Sequence, residues 1–70
     1  MTPTRFRECL AAIGWSQRGF ATKIGADERL ARRWAAGRAD IPPSIAAWLE
    51  VLARIHEEFP SPKEWRRKEV

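Results

Sequence analysis

Residues 16–37, SQRGFATKIGADERLARRWAAG, constrain the fold more than any other stretch of the chain. Apolar side chains recur there at helical spacing in two short runs, Phe20, Ala21 and Ile24, then Leu30, Ala31 and Trp34. A single glycine, Gly25, separates them. Ser16 and Asp27 stand where a helix start needs a side-chain acceptor for its free N–H groups. Gly25 and Gly37 stand where a helix end calls for left-handed backbone. The pattern predicts two short helices held against each other by a tight turn. Ala21 falls where the two helices approach, and a larger side chain there pushes them apart.

The rest of the chain is also helical in period. Thr2-Pro3 combines an N-cap with proline at the first helical position, and Phe6, Cys9, Leu10 and Ile13 follow at helical spacing up to Gly14. Residues 38–42, RADIP, read as a loop. Pro43-Ser44 opens the longest helix, which runs to about Phe59 with Ile45, Trp48, Leu49, Leu52, Ile55 and Phe59 along one side. Pro60 stops it. Ser61, Pro62 and Glu64 form a capping-box pattern that predicts a short last helix through Trp65 to about Lys68. No run alternates apolar and polar residues with strand chemistry, and no Asn-Gly or Asp-Gly hairpin turn occurs. The expectation is an all-α fold of four to five helices, with the main domain over residues 1–59 and residues 60–70 as a short C-terminal helix or tail.

Seventy residues make one domain. A chain of this length buries roughly 60% of its unfolded surface and is marginal unless it dimerises. Its hydrophobic content of 44% supports one core, and four tryptophans supply large apolar area. Cys9 is the only cysteine, which precludes an internal disulfide and suits a reducing compartment. On the apolar side of its helix it reads as a small buried hydrophobe rather than a reactive thiol. No apolar stretch has membrane-spanning length and no signal-peptide pattern is present, so a cytoplasmic protein is expected.

Charge is unevenly spread. Of the net +4, residues 1–38 carry eight Lys and Arg against Glu8, Asp27 and Glu28, a local balance of +5. Residues 39–62 set only Arg54 against Asp40, Glu50, Glu57 and Glu58, a balance of −3. Positive charge is therefore concentrated where the two-helix pattern is, as a polyanion-binding face requires. Arg29, Arg32, Arg33 and Ala36 fall at i, i+3, i+4 and i+7, a stripe opposite Leu30 and Trp34. Arginine pairs bidentately with guanine in the major groove, and the small residue ending the stripe lets a helix sit close to the groove floor. Glu28 is suited to accept from cytosine N4, or to pair with Arg32 one turn on. Arg18 and Arg38 flank the pattern as candidate phosphate contacts, with Lys23 a weaker one.

Ser16-Gln17, Ala21, Gly25, Asp27, Trp34 and Gly37 resemble, in identity and spacing, the helix-turn-helix of the phage-repressor family, the Cro and lambda-repressor-like proteins. The resemblance covers residues 16–37 in detail and 4–59 in layout. It implies a compact lambda-repressor-like domain whose second motif helix reads duplex DNA, with Gln17 bound to a phosphate at a helix start. Ala31 departs from the family pattern, which more often has valine or isoleucine at that inner position. Leu30 or Trp34 then has to fill the space.

His56 stands alone and far from Cys9, so no metal-ligand set of three or four forms in the sequence. Glu57 and Glu58 are adjacent on a helix and point apart, and no phosphate loop or nucleophile motif occurs. The reading is of a protein that is not an enzyme and has no cofactor, metal or small-molecule effector. Trp48 and Trp65 offer more apolar surface than so small a bundle encloses, which marks them as candidate dimer-interface residues. A homodimer would set two recognition helices about 34 Å apart on a palindromic operator. Lys63, Arg66, Arg67 and Lys68 are rim candidates for phosphate. The family analogy points to a small autorepressor of a phage or mobile-element operon, such as an anti-CRISPR operon. The alternative is an antitoxin or other protein-interaction module.

Overall fold

Side-chain oxygens start three of the helices. Thr2 Oγ1 accepts from the Arg5 N–H at 3.0 Å, Ser16 Oγ from Gly19 at 2.9 Å and Asp27 Oδ1 from Arg29 at 2.7 Å. Each satisfies a donor that a helix start otherwise leaves unpaired. In the computed structural model, which describes residues 1–66, four helices follow: α1 Pro3–Ile13, α2 Gln17–Ile24, α3 Glu28–Ala36 and α4 Pro43–Glu58. The described residues are all-helical, with no strand.

Two glycines make the ends of α2 and α3 abrupt. Gly25 and Gly37 adopt φ +70° and +77°, where a β-carbon is strained. Behind each, the next residue's N–H reaches back to close the helix, Ala26 to the Ala21 carbonyl and Arg38 to the Arg33 carbonyl, both at 2.8 Å. These closures let α3 begin within a few residues of the end of α2 and lie against it.

The core is aromatic at its centre. Phe6 of α1, Phe20 of α2 and Trp34 of α3 meet edge-on or tilted, with centroid separations of 5.2, 6.1 and 6.0 Å. Such pairs add about 0.5–1.5 kcal/mol each beyond the area they bury. Ala21 and Ala31 are buried beside them, which allows α2 and α3 their close approach. Trp34, rather than the half-buried Leu30, is the large inward side chain of α3. Cys9 is fully buried, and that burial pushes its thiol above the ordinary range, as for an inert core residue. Leu49 and Ala53 close the core from α4, and a two-pronged Arg5–Glu50 pair, at 3.0 and 2.8 Å, ties α1 to α4 outside it.

Two expectations need correction. The capping-box pattern at Ser61–Glu64 does not start a helix: residues 61–66 form a turn and a bend. One helical turn is too short to hold itself without a buried face, and Trp65 is 64% exposed. Arg67 and Lys68, the end of that expected helix and two of its candidate phosphate contacts, lie outside the described residues. The apolar stripe of α4 is also only partly used. Leu49 is buried and Ile45 and Leu52 half-buried, but Ile55 is 46% and Phe59 74% exposed, while Ala53 is an inward residue the stripe did not include.

Candidate nucleic-acid interface

The hydrophobic side of α3 decides where its arginines go. Ala31, Trp34 and Ala35 are buried, so the opposite side, with Arg29, Arg32, Arg33 and Ala36, faces outward. Arg29, Arg32 and Arg33 line one open hollow of about 630 Å³ with Ala35 and Ala36. Gln17, the first residue of α2, lines it too, as does Arg38, just past the end of α3. A fifth arginine, Arg7 of α1, completes the lining, and no carboxylate contributes to it. The wall is thus cationic and hydrogen-bond-donating, with two alanines keeping it shallow.

Nearby carboxylates hold some of these arginines without filling the hollow. Asp27 caps α3 and lies 3.3 Å from the Arg29 guanidinium. The Arg29 N–H, reinforced by the guanidinium, holds the Asp27 carboxyl below the ordinary carboxylate range. Glu28 pairs with Arg32 at 3.3 Å and with Arg18 of α2 at 4.0 Å. The Arg32 pairing weighed for Glu28 from the sequence is therefore formed, and Glu28 sits beside the hollow rather than in it. The arginines and Asp27 are well exposed and Glu28 is partly so, which makes the pairs weak and exchangeable. Arg7, Arg33 and Arg38 have no carboxylate partner among the described residues.

The structure brings together Gln17, Arg29, Arg32, Arg33 and Arg38 from the sequence-derived set. Arg18 is not in the lining and points its guanidinium towards Glu28. Lys23 lies 5.0 Å over the Trp15 ring, a cation–π contact away from this face. Arg7 was missed by sequence reasoning. It donates to the Ala35 carbonyl in the last turn of α3 and to Thr4 Oγ1 at 3.3 Å. Nothing local marks it, since its place at the hollow comes from how α1 packs on α3.

Trp48 packs on Trp15 and Phe20, at centroid distances of 5.6 and 6.5 Å, and remains 37% exposed. Trp65 stands on the turn beyond α4 with the Arg66 guanidinium 5.0 Å over its ring. Val51, Ile55 and Phe59 are the other large apolar side chains exposed on or just after α4. His56 Nδ1 donates to the Leu52 carbonyl, 2.8 Å away, and the residue is half-buried. Among the described residues no group of three His, Cys, Asp or Glu side chains is arranged to hold a metal ion. No helix among them is long and apolar enough to cross a membrane.

Comparison with protein-family models, curated proteins and solved structures finds no match to this chain. The functional reading therefore rests on residues and geometry.

Proposed function

We propose that the chain is a sequence-specific duplex-DNA-binding transcriptional regulator. The observation that carries this reading is the hollow lined by five arginines, from α1, from α3 and from Arg38 two residues beyond α3, with no carboxylate in its wall. In this reading α3 is a lambda-repressor-like recognition helix and enters the major groove. Arg29, Arg32 and Arg33 pair with guanine O6 and N7, and Glu28, released from Arg32, accepts from cytosine N4. Gln17, Arg18 and Arg38 hold backbone phosphates, which fix register without reading sequence. The resemblance of Ser16-Gln17, Ala21, Gly25, Asp27, Trp34 and Gly37 to the phage-repressor motif supports the same placement.

Two copies bind an inverted repeat, joined through the apolar surface of α4 and Trp65, so that half-sites lie about one helical turn apart. The family analogy favours an autorepressor of a phage or mobile-element operon, such as an anti-CRISPR operon. Selection of bound sequences from random duplexes tests the reading, since it reports half-site and spacing together. Failure to enrich any sequence would contradict it.

One observation favours a second reading. Val51, Ile55, Phe59 and Trp65 are all more than two-fifths exposed, which is a large apolar surface for so small a chain. An antitoxin-like module would use that surface to cover a different protein. Sedimentation of the purified chain separates the two, because a monomer that shifts only with a foreign partner supports the interaction module.

A further inference from the structure

Resting on the DNA-binding reading, we infer that Arg7 of α1 is a further phosphate contact, held ready by a carbonyl in the last turn of the recognition helix. The first observation is its anchoring. One terminal nitrogen of the guanidinium donates to the Ala35 carbonyl and the other to Thr4 Oγ1 at 3.3 Å. Ala35 O is among the last carbonyls of α3, which have no partner within the helix, and a cation there also suits the negative end of the helix dipole. A guanidinium has five N–H donors in a fixed plane, so fixing two of them sets the direction of the other three.

The second observation is position. Arg7 lines the arginine hollow and also a neighbouring hollow of about 280 Å³ that runs past Leu10, Ala11 and Trp15. Only Arg7 and Gln17 belong to both, so they mark the junction between the α3 surface and the α1–α2 side. A DNA strand whose major groove receives α3 carries its phosphates along the rim of that surface. The third observation is charge. Arg7 has no carboxylate partner among the described residues, unlike Arg5 two positions earlier, which is taken up by Glu50 and Glu8. Arg5 builds the fold, and Arg7 keeps its charge for a ligand.

A phosphate contact and a purely structural tie differ in salt dependence, because each neutralised phosphate adds about 0.9 to the magnitude of the log–log slope. The probe is a fluorescein-labelled random-sequence duplex two helical turns long, titrated by anisotropy over a series of salt concentrations. Arg7→Gln removes the charge while keeping a neutral polar side chain, and circular dichroism confirms that it folds. The expected result is a slope lower by about 0.9 and affinity at low salt reduced roughly tenfold or more. Arg7→Lys restores the slope, since an ammonium also holds a phosphate as a point charge. An Arg7→Gln slope equal to that of the unaltered protein overturns the inference, whether or not affinity falls. If Arg32→Ala and Arg33→Ala lower affinity while Arg7→Gln does not, only the role of Arg7 fails. If the unaltered protein binds no duplex, the DNA-binding reading fails with it.

Discussion

The Arg32 guanidinium lies 3.3 Å from the Glu28 carboxylate one turn earlier in α3, so the free protein holds one of its outward arginines in a weak internal pair. Glu28 also faces Arg18 of α2 at 4.0 Å, which places a single negative charge between two helices of the cationic face. Glu28→Gln should raise affinity for random-sequence duplex several-fold, because it releases two arginines and removes a like charge from the phosphates' path. It should lower discrimination between sequences if the carboxylate also accepts from cytosine. Stability should change little, as such an i,i+4 pair is worth about 0.3–0.5 kcal/mol. Anisotropy titrations against random and selected duplexes measure both effects.

Arg33 has no carboxylate partner among the described residues and belongs wholly to the hollow. Arg33→Ala should therefore cost duplex binding at a selected site about 1–3 kcal/mol, the value of one bidentate base contact. The far-ultraviolet circular dichroism spectrum and Tm should stay within error, since the side chain supports no other part of the fold. Loss of helicity on this substitution would show that the stripe is structural.

Trp34 touches both Phe6 and Phe20 and is 4% exposed, so the helix that carries the outward arginines is anchored to the core mainly by this one large side chain. Trp34→Ala should cost about 3–5 kcal/mol, comparable with all that a domain of this size has. The expected outcome is a chain largely unfolded at room temperature. Trp34→Phe should retain a cooperative melt at a lower Tm.

Gly25 and Gly37, two of the three left-handed glycines, differ in a way that a melting experiment can resolve. At Gly25 an added β-carbon meets nothing within 4 Å, so Gly25→Ala should cost only the backbone strain, about 1–2 kcal/mol. At Gly37 the same atom lies 3.1 Å from Pro3 Cγ. Gly37→Ala should thus lower Tm more than Gly25→Ala, because α1 must shift as well.

Much of this was legible in the chain because the deciding interactions are local. Thr2, Ser16 and Asp27 cap helices within three residues of themselves, Gly25 and Gly37 end them, and the 3.6-residue period separates Trp34 from the arginines. What was not legible depends on tertiary packing. Arg7 gains its place only when α1 lies against the end of α3. The Ser61–Glu64 pattern carries helix-start chemistry but no face to bury, and it stays a turn. The α4 stripe predicts burial by period alone, whereas the bundle has helices on only one side of it, leaving Ile55 and Phe59 outside.

Acid should loosen the fold through two paired carboxylates. Asp27 is held below its ordinary value by the Arg29 N–H and guanidinium, and Glu50 by Arg5. A carboxylate with a lowered folded value contributes stability above its unfolded value and loses it as pH falls through the folded one. Tm should therefore decline as pH drops through and below the ordinary carboxylate range, and Asp27→Asn should flatten part of that decline. An unchanged acid limb in Asp27→Asn would mean that the cap contributes through geometry alone.

Whether the arginine face of α3 reads duplex DNA is decided by selecting bound sequences from a pool of random duplexes with the unaltered protein. The expected product is an inverted repeat with guanine-containing half-sites about one helical turn apart, and a pool that Arg32→Ala/Arg33→Ala fails to enrich. Recovery of an unenriched pool at moderate salt, or the same repeat selected equally well by the double variant, would contradict that reading.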